Sequence, residues 1–97
     1  IRVTSGTVTF LFADLEGSTR QWEEHREAMV AARTRYYEIV DDAMARSHGV
    51  VFSHTGDGIA AAFKSATDAV TAAVAAQLGL SREPWGETGP LAARMPG

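Results

Sequence analysis

Two carboxylates stand where apolar runs give way to glycine-rich turns. Asp14 follows Val8-Thr9-Phe10-Leu11-Phe12-Ala13, and Asp57 sits inside Gly56-Asp57-Gly58 after Val50-Val51-Phe52-Ser53-His54-Thr55. Each has an ordinary reading on its own: a strand can stop at a solvated Asp, and Gly-Asp-Gly is hairpin-turn chemistry. The pair is harder to dismiss. If the first strand and the hairpin lie side by side, the two carboxylates meet and repel unless a cation bridges them. Hard, oxygen-preferring ions such as Mg²⁺ and Mn²⁺ suit such a place and usually complete their shell with substrate phosphates. Behind Asp14, Leu15-Glu16-Gly17-Ser18-Thr19 turns into a helix start, whose free N–H groups and positive dipole end receive anions. The chemistry in prospect is metal–nucleotide binding.

The elements that must position these groups follow from periodicity. The segment from about Thr7 to Ala13 is continuously apolar and reads as a central strand covered on both faces. Ser18 is placed to cap a helix, with Gln21 completing a capping box. Trp22, Met29 and Val30 then share one helical face, and Tyr36, Ile39, Val40, Ala43 and Met44 continue at helical spacing. No Pro or Gly interrupts Ser18 to His48, but a run of that length is long for one helix, and two helices with a bend are expected. Gly49 is placed as the glycine ending the helical region. Two short β-rich runs about Gly56-Asp57-Gly58 make a hairpin. Ser65 caps a further helix with Asp68 at its third position, and Ala66, Ala69, Val70, Ala73, Val74 and Leu78 form its apolar stripe. Gly79 to Gly89 reads as a polar connector and Leu91 to Met95 as another strand. The order is β-α-β-β-α-β, a ferredoxin-like α+β fold with helices on one sheet face.

Composition narrows the function classes. The 97 residues suit one small domain, and 45% hydrophobic residues are enough for a globular core. A net charge of −3 with scattered Lys and Arg argues against nucleic acid as a partner. There are no cysteines, hence no disulfide framework, which suits a cytoplasmic setting. No apolar run approaches the roughly 20 residues that cross a bilayer. The chain opens on Ile1 rather than Met, and Pro90 to Gly97 starts strand-like and stops, so residues 1–97 are expected to be a single, incomplete domain lacking later strands.

Thr9 to Thr19, with its Asp14 and Gly17-Ser18-Thr19, resembles the opening strand and loop of class III adenylate and guanylate cyclase catalytic domains, in the bacterial branch whose loop reads Gly-Ser-Thr. His54-Thr55-Gly56-Asp57-Gly58 with Phe63 is similar to that family's second metal segment. The resemblance runs from Thr7 to about Leu80, and Arg94-Met95 looks like the next strand. It implies conversion of ATP or GTP to a 3′,5′-cyclic nucleotide and pyrophosphate by a two-metal mechanism. Asp14 and Asp57 would hold two Mg²⁺ or Mn²⁺ ions, assisted by the Leu15 carbonyl. The amides of Glu16, Gly17, Ser18 and Thr19 would contact phosphates. It also implies a dimer, either a homodimer or a pairing with a complementing cyclase domain, in which the second chain supplies an Asn and an Arg at the transition state. Neither has a counterpart in this chain, which would provide the metal half of a site.

Ser53 departs from the pattern. ATP-preferring members usually carry a base-reading Lys at this substrate-base position, and Ser has neither its reach nor its charge. The rival to an active cyclase is therefore a degenerate cyclase-like domain that binds nucleotide or a partner and regulates a neighbouring module. Among the remaining polar candidates, His54, His25 and His48 lack a second His at metal spacing and read as surface residues. Trp85, between Pro84 and Gly86, reads as an anchor for the connector, although its ring could stack on a base. Glu16 reads as a solvated loop carboxylate that could also face the metals.

Overall fold

Strand β1, Thr9–Leu15, alternates strictly: Leu11, Ala13 and Leu15 are buried while Phe10, Phe12 and Asp14 are exposed. This computed structural model describes residues 8–95, so Thr7, the expected first residue of the strand, lies outside them. The chain continues through α1 (Ser18–Glu24), α2 (Arg26–Arg46), β2 (Val50–Thr55), β3 (Gly58–Phe63), α3 (Ala66–Arg82), a 3-10 turn at Gly86–Thr88 and the short β4 (Ala93–Arg94). The strands form one antiparallel sheet in the order β2-β3-β1-β4. This is the expected α+β βαββαβ arrangement.

The break between α1 and α2 falls at His25, whose φ of −138° leaves the helical range while its N–H still bonds the Gln21 carbonyl. From α2, Met29, Tyr36, Val40 and Met44 are buried against the sheet; from α3, Ala69, Ala72, Ala76 and Leu80. They meet Leu11, Ala13 and Leu15 of β1 and Ile59, Ala61 and Phe63 of β3 in a single core. Small residues let the two long helices approach closely. A Cβ on Gly79 would lie 2.7 Å from Ile39 Cγ2. Among the described residues no helix is long and apolar enough to cross a membrane.

Several expectations need correction. The first strand is central, but helices cover only one of its faces; on the other, Phe10 (44% exposed), Phe12 (51%), Val50 (55%) and Phe52 (52%) stand open. Phe10 meets Phe52 edge-on with ring centroids 5.9 Å apart. Continuous hydrophobicity thus marks an apolar surface here rather than burial on two sides. The stripe of α3 is rotated from its expected position: Val70, Val74 and Leu78 are exposed and alanines face the core. The crowding against α2 selects small side chains there, which a hydrophobicity count undervalues. Val30 of α2 is exposed too. Gly79 does not open a connector, since α3 runs on to Arg82, and the last strand shrinks to Ala93–Arg94.

The end of α2 also differs. The left-handed residue is His48, at φ 66°. Its N–H bonds Ala45 O at 3.1 Å and the Gly49 N–H bonds Met44 O at 2.8 Å, the paired bonds of a Schellman closure one residue earlier than expected. Gly49 is required for a different reason. A Cβ there would fall 2.5 Å from the Phe63 ring and 2.9 Å from Met44 O. Ser65 does cap α3, its hydroxyl accepting from the Asp68 N–H at 3.3 Å.

Candidate functional site

The β1–β3 ladder fixes where the two aspartates go. Its last recorded pair is Ala13 with Ile59, so one step further Asp14 comes level with Gly58, beside Asp57 in the hairpin turn. Gly56, at φ 58°, supplies the left-handed conformation of that turn. On its other side β1 pairs with β4, placing Arg94 directly opposite Asp14. Asp14 is exposed and Asp57 half-buried.

Asp57 is held from several directions. Ser18 Oγ donates to its Oδ2 at 2.6 Å, and Trp22 Nε1–H donates to the same oxygen at 3.2 Å. The turn's backbone is clamped from α2: the Tyr36 hydroxyl donates to the Asp57 carbonyl at 2.9 Å, and the Tyr37 hydroxyl to the Gly56 carbonyl. Burial pushes the Tyr36 phenol well above its usual range, and the negative charges of Asp14 and Asp57 push it further. It stays a protonated donor at neutral pH. Beside this clamp, His54 Nε2 meets the Asp41 carboxylate of α2 at 2.9 Å, and its ring packs on Tyr37 at 4.6 Å between centroids.

The loop behind β1 behaves differently from expectation. Gly17, at φ 56°, occupies the position before α1, and no side chain caps that helix. The Ser18 hydroxyl is directed to Asp57 instead, and Gln21, the expected second half of a capping box, has a buried Oε1 without a partner. With Gly17 in the cap position, Ser18 is the first residue of the helix rather than the one before it, and its hydroxyl hydrogen goes to the charged acceptor across the loop. The Glu16 N–H donates to Ala92 O at 2.8 Å, leaving Gly17, Ser18 and Thr19 as the amides facing no strand. Glu16, Gly17 and Thr19 are exposed, Ser18 half-buried and Leu15 buried at the strand end.

Ser53 lies elsewhere on the sheet. It pairs with Ala60, which pairs with Phe12, so these residues form the next row of the open face after Asp14. A bulge between Val51 and Ser53 sets this register. Ser53 Oγ is 3.2 Å from Thr55 Oγ1. The architecture therefore gathers Asp14, Asp57 and Ser18 at one end of the sheet and sets Ser53 a row away. Trp22, Tyr36 and Tyr37 were not foreseen as parts of the site. Trp22 follows Ser18 by one helical turn and so shares its face, a signal that spacing alone could have supplied.

Among the described residues no group of three or more His, Cys, Asp and Glu side chains is arranged around a metal position. Two carboxylates at one end of the sheet, without a third protein anion, do not make an all-protein cage. They do fit a Mg²⁺- or Mn²⁺-type ion that takes its other ligands from water and phosphate.

No protein-family profile matches the chain. It is 39% identical over 72 residues to uncharacterized proteins of Mycobacterium tuberculosis and Mycobacterium bovis, covering 72% of this chain and 25% of each relative. The chain thus spans a quarter of the curated relatives it matches. Among solved structures it is similar to an adenylate cyclase of Trypanosoma brucei in its monomeric state, with a TM-score of 0.79 and 31% identity over 84% of this chain and 35% of that one. A guanylyl cyclase matches with a TM-score of 0.79 and 27% identity, covering 91% and 51%. A bacterial light-regulated adenylyl cyclase shares the fold at 16% identity and a TM-score of 0.77. The chain has a nucleotide cyclase-like fold.

Proposed function

We propose that this chain is the metal-holding half of a purine nucleotide cyclase site, part of an incomplete catalytic domain that acts on ATP or GTP. The observation that supports this reading is the β1–β3 register, which brings the backbone of Asp14 level with Gly58, next to Asp57, within a fold shared with adenylate and guanylyl cyclases. Asp14 and Asp57 would hold the ions, with the Leu15 carbonyl beside them. When bound, Mg²⁺ or Mn²⁺ supplies charge neutralisation and a more acidic ribose 3′-hydroxyl. The rest falls to the chain's own groups. Tyr36 and Tyr37 fix the turn that carries Asp57. Ser18 ties the loop behind β1 to that carboxylate, and the amides of Gly17, Ser18 and Thr19 are free to approach phosphate. In-line attack on phosphorus depends mainly on such positioning and on electrostatic stabilisation. The missing charge stabilisation would come from the Asn and Arg of a second chain, in a homodimer or with a complementing domain.

Ser53 favours a second reading, a non-catalytic domain that binds nucleotide or a partner and regulates its neighbour. Its hydroxyl is turned to Thr55 and carries no charge to read a base.

Cyclic nucleotide formation from Mn²⁺-ATP and Mn²⁺-GTP separates the two readings. The chain alone is expected to be weakly active or inactive. Adding a cyclase chain that keeps its Asn and Arg but lacks the metal aspartates should restore turnover, and Asp57→Ala should abolish it. Restored turnover that survives both Asp14→Ala and Asp57→Ala would refute the metal-half assignment. Nucleotide binding without any rescued turnover would favour the regulatory reading.

A further inference from the structure

Trp22 makes an unusual combination of contacts for a residue of a short surface helix. Its indole N–H points to Asp57 Oδ2 at 3.2 Å, across 35 positions of sequence. Its ring packs against the core, and the Arg33 guanidinium of α2 lies 4.8 Å from its centroid. Arg33 and the core restrain the ring, and the restrained ring aims a donor at the carboxylate. Ser18 shares that oxygen, but the two donors are not equivalent. A hydroxyl rotates freely and can turn to another acceptor, whereas an indole N–H is a donor only, fixed in the plane of its ring.

We infer that Trp22 is a positioning residue for Asp57: its indole N–H occupies Oδ2 and so presents Oδ1 to a divalent cation. This rests on the metal reading of Asp57 proposed above. Groups that hydrogen-bond a metal-binding carboxylate set its orientation, and removing them typically weakens metal affinity about 10- to 100-fold. The Trp22 bond is long and its oxygen keeps Ser18, so the lower end of that range applies.

The test is calorimetric titration of Mn²⁺ into the full chain and into Trp22→Phe, which keeps a large ring and removes the donor. Trp85→Phe is the control, since that indole N–H bonds only the Leu80 carbonyl at 2.9 Å. The expected result is about tenfold weaker Mn²⁺ binding by Trp22→Phe, with Trp85→Phe matching the parent. Equal affinity in a folded Trp22→Phe overturns the inference and leaves the metal reading intact. A folded parent that binds no Mn²⁺ overturns both.

A second measurement needs no change at Trp22. The chain has two tryptophans, so its ¹H–¹⁵N spectrum holds two indole signals, assigned with Trp85→Phe. Diamagnetic Mg²⁺ should shift the Trp22 signal saturably and leave that of Trp85 in place. A stationary Trp22 signal while calorimetry records Mg²⁺ binding refutes the role even if Trp22→Phe does not fold.

Discussion

Replacing Tyr36 with Phe removes one oxygen from a fully buried residue and leaves its ring in place. The hydroxyl donates to the Asp57 carbonyl at 2.9 Å, a neutral bond whose net contribution is about 0.5–1.5 kcal/mol. The carbonyl belongs to a half-buried turn residue, so water can replace part of the lost bond, and a cost of about 1 kcal/mol is expected. In a domain of this size that lowers the melting midpoint by roughly 4–8 °C. Tyr36→Ala would instead empty a core position and cost about 3–5 kcal/mol. The alkaline limb gives an independent check. Burial, then the charges of Asp14 and Asp57, raise the phenol's pKa in the folded chain. Because the folded-state value is raised, the stabilisation is complete below about pH 10, where the unfolded phenol begins to ionise. It is lost as pH rises from there through the folded value. Urea unfolding of parent and Tyr36→Phe at neutral and alkaline pH measures both effects. The parent should lose stability above about pH 10 more steeply than Tyr36→Phe. Equal stability of the two proteins at neutral pH, or parallel alkaline limbs, would refute the clamp on the Asp57 turn.

Two further outcomes follow. Gly79→Ala, normally worth about 1 kcal/mol of added helix stability, should destabilise here because the new methyl falls 2.7 Å from Ile39 Cγ2; urea unfolding of Gly79→Ala with and without Ile39→Val tests this, the second change restoring part of the loss. Phe12→Asp, placed on the open aromatic face, should weaken any homodimer formed by the chain, read as a lower apparent mass in light scattering, while leaving the melting midpoint nearly unchanged.

Much of the fold was legible because its signals are local. The Ser65 cap, the hairpin at Gly56-Asp57 and the βαββαβ order each follow from residues within a turn or two of one another, while the break between α1 and α2 was expected from the length of the helical run alone. The misreadings share one cause. Gly49 suited the end of α2 as a glycine, yet His48 takes the left-handed position and Gly49 is there to clear Phe63, a distant neighbour. Ser18 suited a capping box, yet a carboxylate from the hairpin claims its hydroxyl. The stripe on α3 was weighted by hydrophobicity, whereas the space left by α2 admits alanines.

The candidate site divides the same way. Asp14, Asp57 and the loop between Leu15 and Thr19 were identifiable in sequence, because strand ends and glycine turns advertise themselves locally and their pairing follows from topology. The sequence by itself therefore determined which elements carry the two carboxylates and that those elements lie side by side in the sheet. Only the tertiary structure decided what holds Asp57: Ser18 and Trp22 from one helix, Tyr36 and Tyr37 from another. It also decided that one face of the sheet stays bare. Hydrogen bonds across 35 or more positions, and the facing of a strand, depend on how whole elements pack, and no local pattern encodes that.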